Sequence, residues 1–207
     1  MTEKVLTPDQ VAQVFRERFG AAVTDIRITE QREGVRKNPN FNIWIDIDRS
    51  SLCSAIATLI DIHFPHLSVI SGVDTGDAVR LIYHFTVFYG HRGAECTVSF
   101  SVNLPKDDLS VPTISGLIPG AVFSEREKQE FLGVRVTDIP DGRRLFLPDD
   151  FPDGVFPWRK DETGVPEGMI NELWRSKRPV DRPAPPAEKK ELCELPSEDS
   201  PAGEGSS

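Results

Sequence analysis

Cysteine is scarce in this sequence: Cys53, Cys96 and Cys193 are the three thiols in 207 residues, and none lies near another. An odd count at wide spacing builds neither a disulfide framework nor a paired-cysteine metal or cluster site. The thiols are expected to be reduced, the first two packed as small hydrophobes and the third in a polar tail. Long apolar runs are lacking as well. No stretch approaches the roughly 20 residues of a membrane span, and Met1-Thr2-Glu3-Lys4 lacks the basic-then-apolar pattern of a secretory leader. A cytoplasmic protein is expected. Positive charge is also short, with 24 Lys and Arg against 33 Asp and Glu and a formal charge of -9. Such a balance repels phosphate backbones, and no basic cluster with interleaved aromatics offsets it, so nucleic acid is excluded as a partner.

Catalytic signatures are missing too. There is no Walker loop, GxGxxG, GxSxG or HExxH motif. His63 and His66 form an HxxH pair, two ligands short of a zinc site. His84, on the less regular face of a strand, and His91, in a hairpin tip, suggest no base chemistry. Glu125 and Glu127 diverge by about 200° around a helix and cannot converge on one bond. Arg126 and Glu130 have the spacing of an i,i+4 ion pair. No catalytic, cofactor-binding or metal-binding residue is therefore expected, and no cofactor.

What is present is one domain's worth of pattern followed by an irregular extension. Thr7-Pro8-Asp9-Gln10 fits a capping box, and Val11, Val14, Phe15 and Phe19 recur at helical spacing up to Gly20. A strand over 23–28 and the alternating Phe41, Ile43, Ile45 and Ile47 follow. With Ser50 or Ser51 as cap, Leu52, Ala55, Ile56, Leu59 and Ile60 mark a second amphipathic helix that Pro65 closes. Residues 67–73 suggest a further strand. Leu81, Tyr83, Phe85, Val87 and Tyr89 alternate, as do Cys96, Val98, Phe100, Val102 and Leu104, with Gly90-His91-Arg92-Gly93 as the hairpin between them. The expected class is α+β: a four- or five-stranded, mostly antiparallel sheet with two helices on one face, then a short helix over 121–132 that Gly133 ends.

Three regions are expected: a core over 1–133, an extended docking arm over 134–178 and a disordered, acidic, Pro-rich tail over 179–207. The arm is dense in Pro, Gly and paired charges. It carries isolated Phe146, Phe151, Phe156, Trp158 and Trp174, which a segment without periodicity is not expected to bury by itself. Arg and aromatic residues are the groups enriched at interface hot spots, so a partner protein is the expected burial site.

Three motifs then stand in order: Glu125-Arg126-Glu127-x-x-Glu130-Phe131-Leu132-Gly133, Pro140-Asp141-x-Arg143-Arg144-Leu145-Phe146-Leu147-Pro148-Asp149-Asp150, and Pro157-Trp158-Arg159-Lys160-Asp161. Together they strongly resemble the thirty-kilodalton subunit family of respiratory complex I, which includes the related subunit of membrane-bound hydrogenases. The resemblance runs from about Thr7 to Asp161. It implies a non-catalytic hydrophilic-arm subunit of a complex I-type NADH:quinone oxidoreductase, without a cofactor. Such a subunit docks onto the large quinone-site subunit beside an iron-sulfur subunit, and is membrane-associated on the inner face only through the complex. The equivalent small subunit of a membrane-bound nickel-iron hydrogenase is the alternative. Ile139 and Phe156, where quinone-reducing members usually have His, look more like that branch. The implied interface residues are Glu125, Arg126, Glu127, Arg143, Arg144, Phe156, Trp158, Arg159, Lys160 and Asp161, acting through charge-assisted hydrogen bonds. Met169, Ile170, Leu173 and Trp174 suggest one more helical contact. From the residues alone, a free adaptor using its tail, or an independent enzyme, remain the competing classes.

Overall fold

Thr7 opens the first helix with both halves of the anticipated box. Its hydroxyl accepts the Gln10 backbone N–H at 3.3 Å, and Gln10 Oε1 accepts the Thr7 N–H at 2.9 Å. The structure, a computed structural model, describes residues 5–33, 38–91 and 93–169. Helix α1 (Pro8–Phe19) buries Val11, Ala12 and Phe15. Strands β1 (Val23–Glu33) and β2 (Asn38–Ile47) follow, then a 3-10 turn (Arg49–Ser51) that runs straight into α2 (Leu52–Ile62). Neither serine caps α2 with its side chain as expected. Ser51 is already in helical conformation, because the 3-10 turn starts the helical path at Asp48 and leaves no extended cap residue next to Leu52.

Strand β3 (His66–Asp74) pairs antiparallel with β4 (Ala78–Val87), and β4 with β5 (Cys96–Pro105). The alternation read through Tyr89 stops at Val87. Phe88 takes φ +56° and is buried, which turns the chain and leaves Tyr89 outside. The sheet order is β1-β2-β5-β4-β3, with β2 and β5 parallel and every other pair antiparallel. The class is α+β with a five-stranded, mostly antiparallel sheet, as the alternation indicated.

One face of the sheet carries the core: Ile43, Ile45, Leu81, Tyr83, Phe85, Val98, Phe100 and Val102 are buried together with Phe15 of α1 and Leu52, Ala55, Ile56 and Leu59 of α2. Phe15 meets Phe100 edge-on at 5.2 Å. A third helix, α3 (Ala121–Leu132), reaches the sheet at β3, against Gly72. A Cβ on Gly72 would lie 2.4 Å from Leu132 Cδ1 and 3.2 Å from Leu81 Cδ2, so the close approach of α3 to the strand needs a residue with no side chain. Two short strands, β6 (Ser110–Pro112) and β7 (Arg135–Thr137), form a separate parallel pair. Three residues each are too few to show a period, which is why neither was legible.

Gly133 ends α3 in the left-handed conformation, φ +69°, its N–H reaching back to the Gln129 carbonyl at 3.1 Å. The chain does not break into a separate arm there. The described residues on either side of Gly133, as far as Glu167, belong to one compact unit. The expected contact through Ile170, Leu173 and Trp174, the tail over 179–207 and Cys193 lie outside the described residues.

Candidate functional site

The three motifs lie together because α3 is the beam to which residues 138–163 are bonded. Along α3 the polar side chains point at successive pieces of that segment. Arg126 donates from Nε to the Arg143 carbonyl at 2.7 Å and from Nη2 to the Arg144 carbonyl at 2.8 Å, and its Nη1 stands 3.3 Å from Asp141. Glu130 accepts three consecutive backbone N–H groups, from Leu145, from Phe146 at 2.8 Å and from Leu147 at 2.8 Å. Arg126 and Glu130 have the spacing to pair with each other. Each binds backbone fifteen or more positions away instead, where a buried charge gains directed, charge-assisted bonds.

Glu125 turns the other way. It is buried and accepts the Thr113 hydroxyl at 2.6 Å and the Ile114 N–H at 2.7 Å, tying α3 to the loop before it. Burial pushes its carboxyl above the ordinary range, and those two bonds offset part of the rise. Glu127 pairs with its neighbour Lys128, whose ammonium stands 4.7 Å over the Trp158 ring.

The last motif locks onto the sheet. Asp74, 1% exposed at the end of β3, accepts the Lys160 N–H at 2.9 Å, the Gly76 N–H at 2.9 Å and the Lys106 ammonium at 3.1 Å, with Arg159 Nε at 3.5 Å. Asp161 binds Lys106 at 2.5 Å, Arg159 Nη2 at 2.6 Å and the Thr163 hydroxyl at 2.5 Å. Two carboxylates and two cations thus form a neutral cluster joining β3, the end of β5 and the arm. Burial works to raise the Asp74 carboxyl, but the Lys160 and Gly76 N–H groups and the Lys106 ammonium outweigh it and hold it below the usual range. The Arg159 fork, then Lys106 and Thr163, hold Asp161 well below it.

The arm's aromatics were expected to need a partner, yet several find cover inside the chain. Trp158 stacks on Phe131 at 4.5 Å and donates its backbone N–H to the Phe131 carbonyl at 2.9 Å. The Phe156 ring lies over Gly133, where a Cβ would come within 2.7 Å of it. Arg144 donates to the Pro148 carbonyl at 3.0 Å, the Phe151 carbonyl at 2.8 Å and Asp153 at 2.5 Å. Glu125, Arg126, Arg144, Arg159 and Asp161, five of the ten residues expected at an interface, make hydrogen bonds within the chain. Of the ten residues, Arg143, Trp158 and Lys160 remain exposed.

The fixed arm presents large apolar side chains to the outside, with Phe146 60% exposed, Trp158 41% and Leu145 beside Phe146, and Phe123 on α3 is 58% exposed. Phe146 and Trp158 flank Phe131, the first at 5.8 Å and the second at 4.5 Å. Asp74, Lys106, Gly72 and Glu130 were not read as parts of this site. Glu130 stood in a motif without an assigned role, and the other three depend on contacts that no local pattern signals. His84, read as unsuited to base chemistry, rests with Nδ1 2.9 Å from Ser99 Oγ and edge-on to Trp44, and burial pushes its pKa down. Among the described residues no helix is long and apolar enough to cross a membrane.

A family model described as the respiratory-chain NADH dehydrogenase, 30 Kd subunit, matches residues 45–167, which contain the whole lock. The chain is 32% identical over 163 residues to the membrane-bound hydrogenase subunit beta of Pyrococcus furiosus, across 78% of this chain and 90% of that protein. It is 28% identical over 160 residues to the C subunit of the NADH-quinone oxidoreductase of Chloroherpeton thalassium, across 74% and 60% respectively. Its fold is shared with a chain of an archaeal membrane-bound sulfane sulfur reductase, a respiratory membrane complex, with a TM-score of 0.64, 17% identity and coverage of 85% and 98%. With more than half its length inside the family model and a relative matched nearly end to end, the chain belongs to the respiratory-chain NADH dehydrogenase 30 Kd subunit family.

Proposed function

We propose that the chain is a non-catalytic hydrophilic subunit of a membrane-bound redox complex, docking onto the large subunit of that complex through the outer surface of its arm. The observation that carries this reading is the rigid presentation of Phe146, Leu145 and Trp158 by the arm, held out by a buried ionic framework instead of collapsing onto the core. Exposed aromatics that cluster, as Phe146 and Trp158 do on either side of Phe131, mark a surface that another molecule covers. Arg143, with 84% of its side chain exposed, and Lys160 supply the polar rim.

Within that class the hydrogenase branch is favoured. The Pyrococcus hydrogenase protein is matched over more of its length, and at higher identity, than the Chloroherpeton quinone oxidoreductase protein. Ile139 packs against the core and Phe156 against Gly133, so both positions serve apolar packing and not proton chemistry. The quinone oxidoreductase is the second reading, supported by the description of the family model. The test is affinity purification through an N-terminal tag, comparing the intact chain with a Phe146→Asp, Arg143→Glu variant. Redox subunits that accompany the first and are lost from the second support docking, and their cofactors decide the branch. An intact chain that emerges alone sinks the reading.

A further inference from the structure

A second surface lies on the other face of the sheet, where β2 runs parallel to β5 and ends beside it. There a cavity of about 390 Å³ opens between the start of β1, the ends of β2 and β5 and the 3-10 turn. Its walls carry the carboxylates of Asp46 and Asp48, the Ser50 hydroxyl and Asn103, whose Oδ1 already accepts Arg80 Nε at 2.8 Å. Asp46 has Asp25 as its register partner on β1, a like-charge pair that repels unless a cation stands nearby. Asp25 is paired to Arg27 at 3.0 Å, whereas Asp46 and Asp48 pair with no cation among the described residues. Arg49 also lines the cavity, but its fork is committed to Asp108 and to the Asp108 and Ser110 carbonyls at 3.0 and 3.1 Å.

An independent observation points to an occupant. Ser101, the register partner of Asp46 on β5, is 4% exposed, lines the cavity, and its Oγ is a buried side-chain oxygen with no hydrogen-bond partner. Native proteins rarely leave a buried hydroxyl unpaired unless a further group completes it. We infer that this cavity is a socket for a basic side chain, an arginine above all, projecting from a neighbouring subunit. A planar guanidinium matches a pair of carboxylates and can also donate to a hydroxyl in the floor. A metal ion fits less well, since no group of three or more His, Cys, Asp or Glu able to hold one occurs among the described residues. The inference rests on the subunit reading for the identity of the donor chain and uses a different face of the molecule.

Two measurements on the full chain test it. In the first, N-acetylarginine amide is titrated against the isotope-labelled protein. Saturable shifts at Asp46, Asp48, Ser101 and Asn103 are expected, with affinity at least tenfold weaker in an Asp46→Asn, Asp48→Asn variant and several-fold weaker in Ser101→Ala, which removes only the unpaired hydroxyl. Unsaturable shifts, or equal affinity in the variants, overturn the socket, and so does magnesium ion giving the same shifts at lower concentration. In the second, a photo-crosslinking residue at Ser50 in the native complex is expected to capture a peptide containing Arg or Lys from a redox subunit. If redox subunits co-purify but no basic peptide is captured, the inference fails and the subunit reading stands. If none co-purifies with the intact chain, the subunit reading fails first.

Discussion

Glu130 Oε2 accepts the backbone N–H of Phe146 at 2.8 Å, and the same carboxylate takes Leu145 and Leu147 on either side. One side chain thereby fixes the tip of the arm. Glu130→Ala leaves three N–H groups without their acceptor, and a loss of about 2–3 kcal/mol is expected for bonds to a charged group. Amide exchange at 145–147 rises while that of Val98 and Phe100 in β5 stays slow. Equal acceleration everywhere would mean that the arm and sheet open as one unit.

Arg143 and Arg144, adjacent and chemically identical, should behave oppositely. Arg144 binds two carbonyls and Asp153, whereas Arg143 reaches outward and touches Asp141. Arg144→Ala is expected to speed proteolytic cleavage within 144–156 several-fold, and Arg143→Ala to leave it unchanged. Limited proteolysis followed by mass spectrometry reads the difference. The reverse order would contradict the bonding pattern.

Gly133 is required twice over. Gly133→Ala incurs about 1–2 kcal/mol for the left-handed conformation and a further cost of about 1–3 kcal/mol for displacing the Phe156 ring. Gly133→Asn tolerates the conformation and keeps the collision, so it should lie between wild type and Ala in denaturant unfolding. An Asn variant as stable as wild type would show that the ring moves aside freely.

Acid should weaken the lock and relieve α3. Asp74 and Asp161 have folded values below their ordinary 3.8, so their contribution is complete above about pH 4 and is lost as pH falls towards the depressed folded values. Glu125 has the opposite sign: its folded carboxyl lies above 4.5, and its burial costs stability as pH rises through that raised value. Urea unfolding between about pH 2 and 8 should therefore show Asp161→Asn less stable than wild type at neutral pH, with the gap closing in acid. A constant gap would assign Asp161 no role as an ion.

The strands of the five-stranded sheet and α1 were legible because their signals are local. Period-two alternation marked β4 and β5, Thr7 to Gln10 marked the cap, and Gly133 marked the end of α3. What escaped was set at a distance. The pairing of Asp74 with Lys160 joins positions 86 apart, and nothing near either residue announces it. Arg126 and Glu130 looked like an i,i+4 pair because helix spacing permits one. The stronger donors and acceptors of an unpaired backbone segment took both instead. The composition of 138–163 suggested a segment waiting for a partner, since the cover for Phe156 and Trp158 comes from the glycine that ends α3 and from a phenylalanine within it.

The Asp74 contact also sets an order of events during synthesis. Once β5 is made the sheet can assemble with Gly76 and Lys106 already at the Asp74 carboxylate, whereas the Lys160 amide and the Arg159 guanidinium are added only after a further fifty or so residues. Closure of the arm is then the final registration step for the unit, and a nascent chain halted before Asp161 would display an open, charged seam at the end of β3.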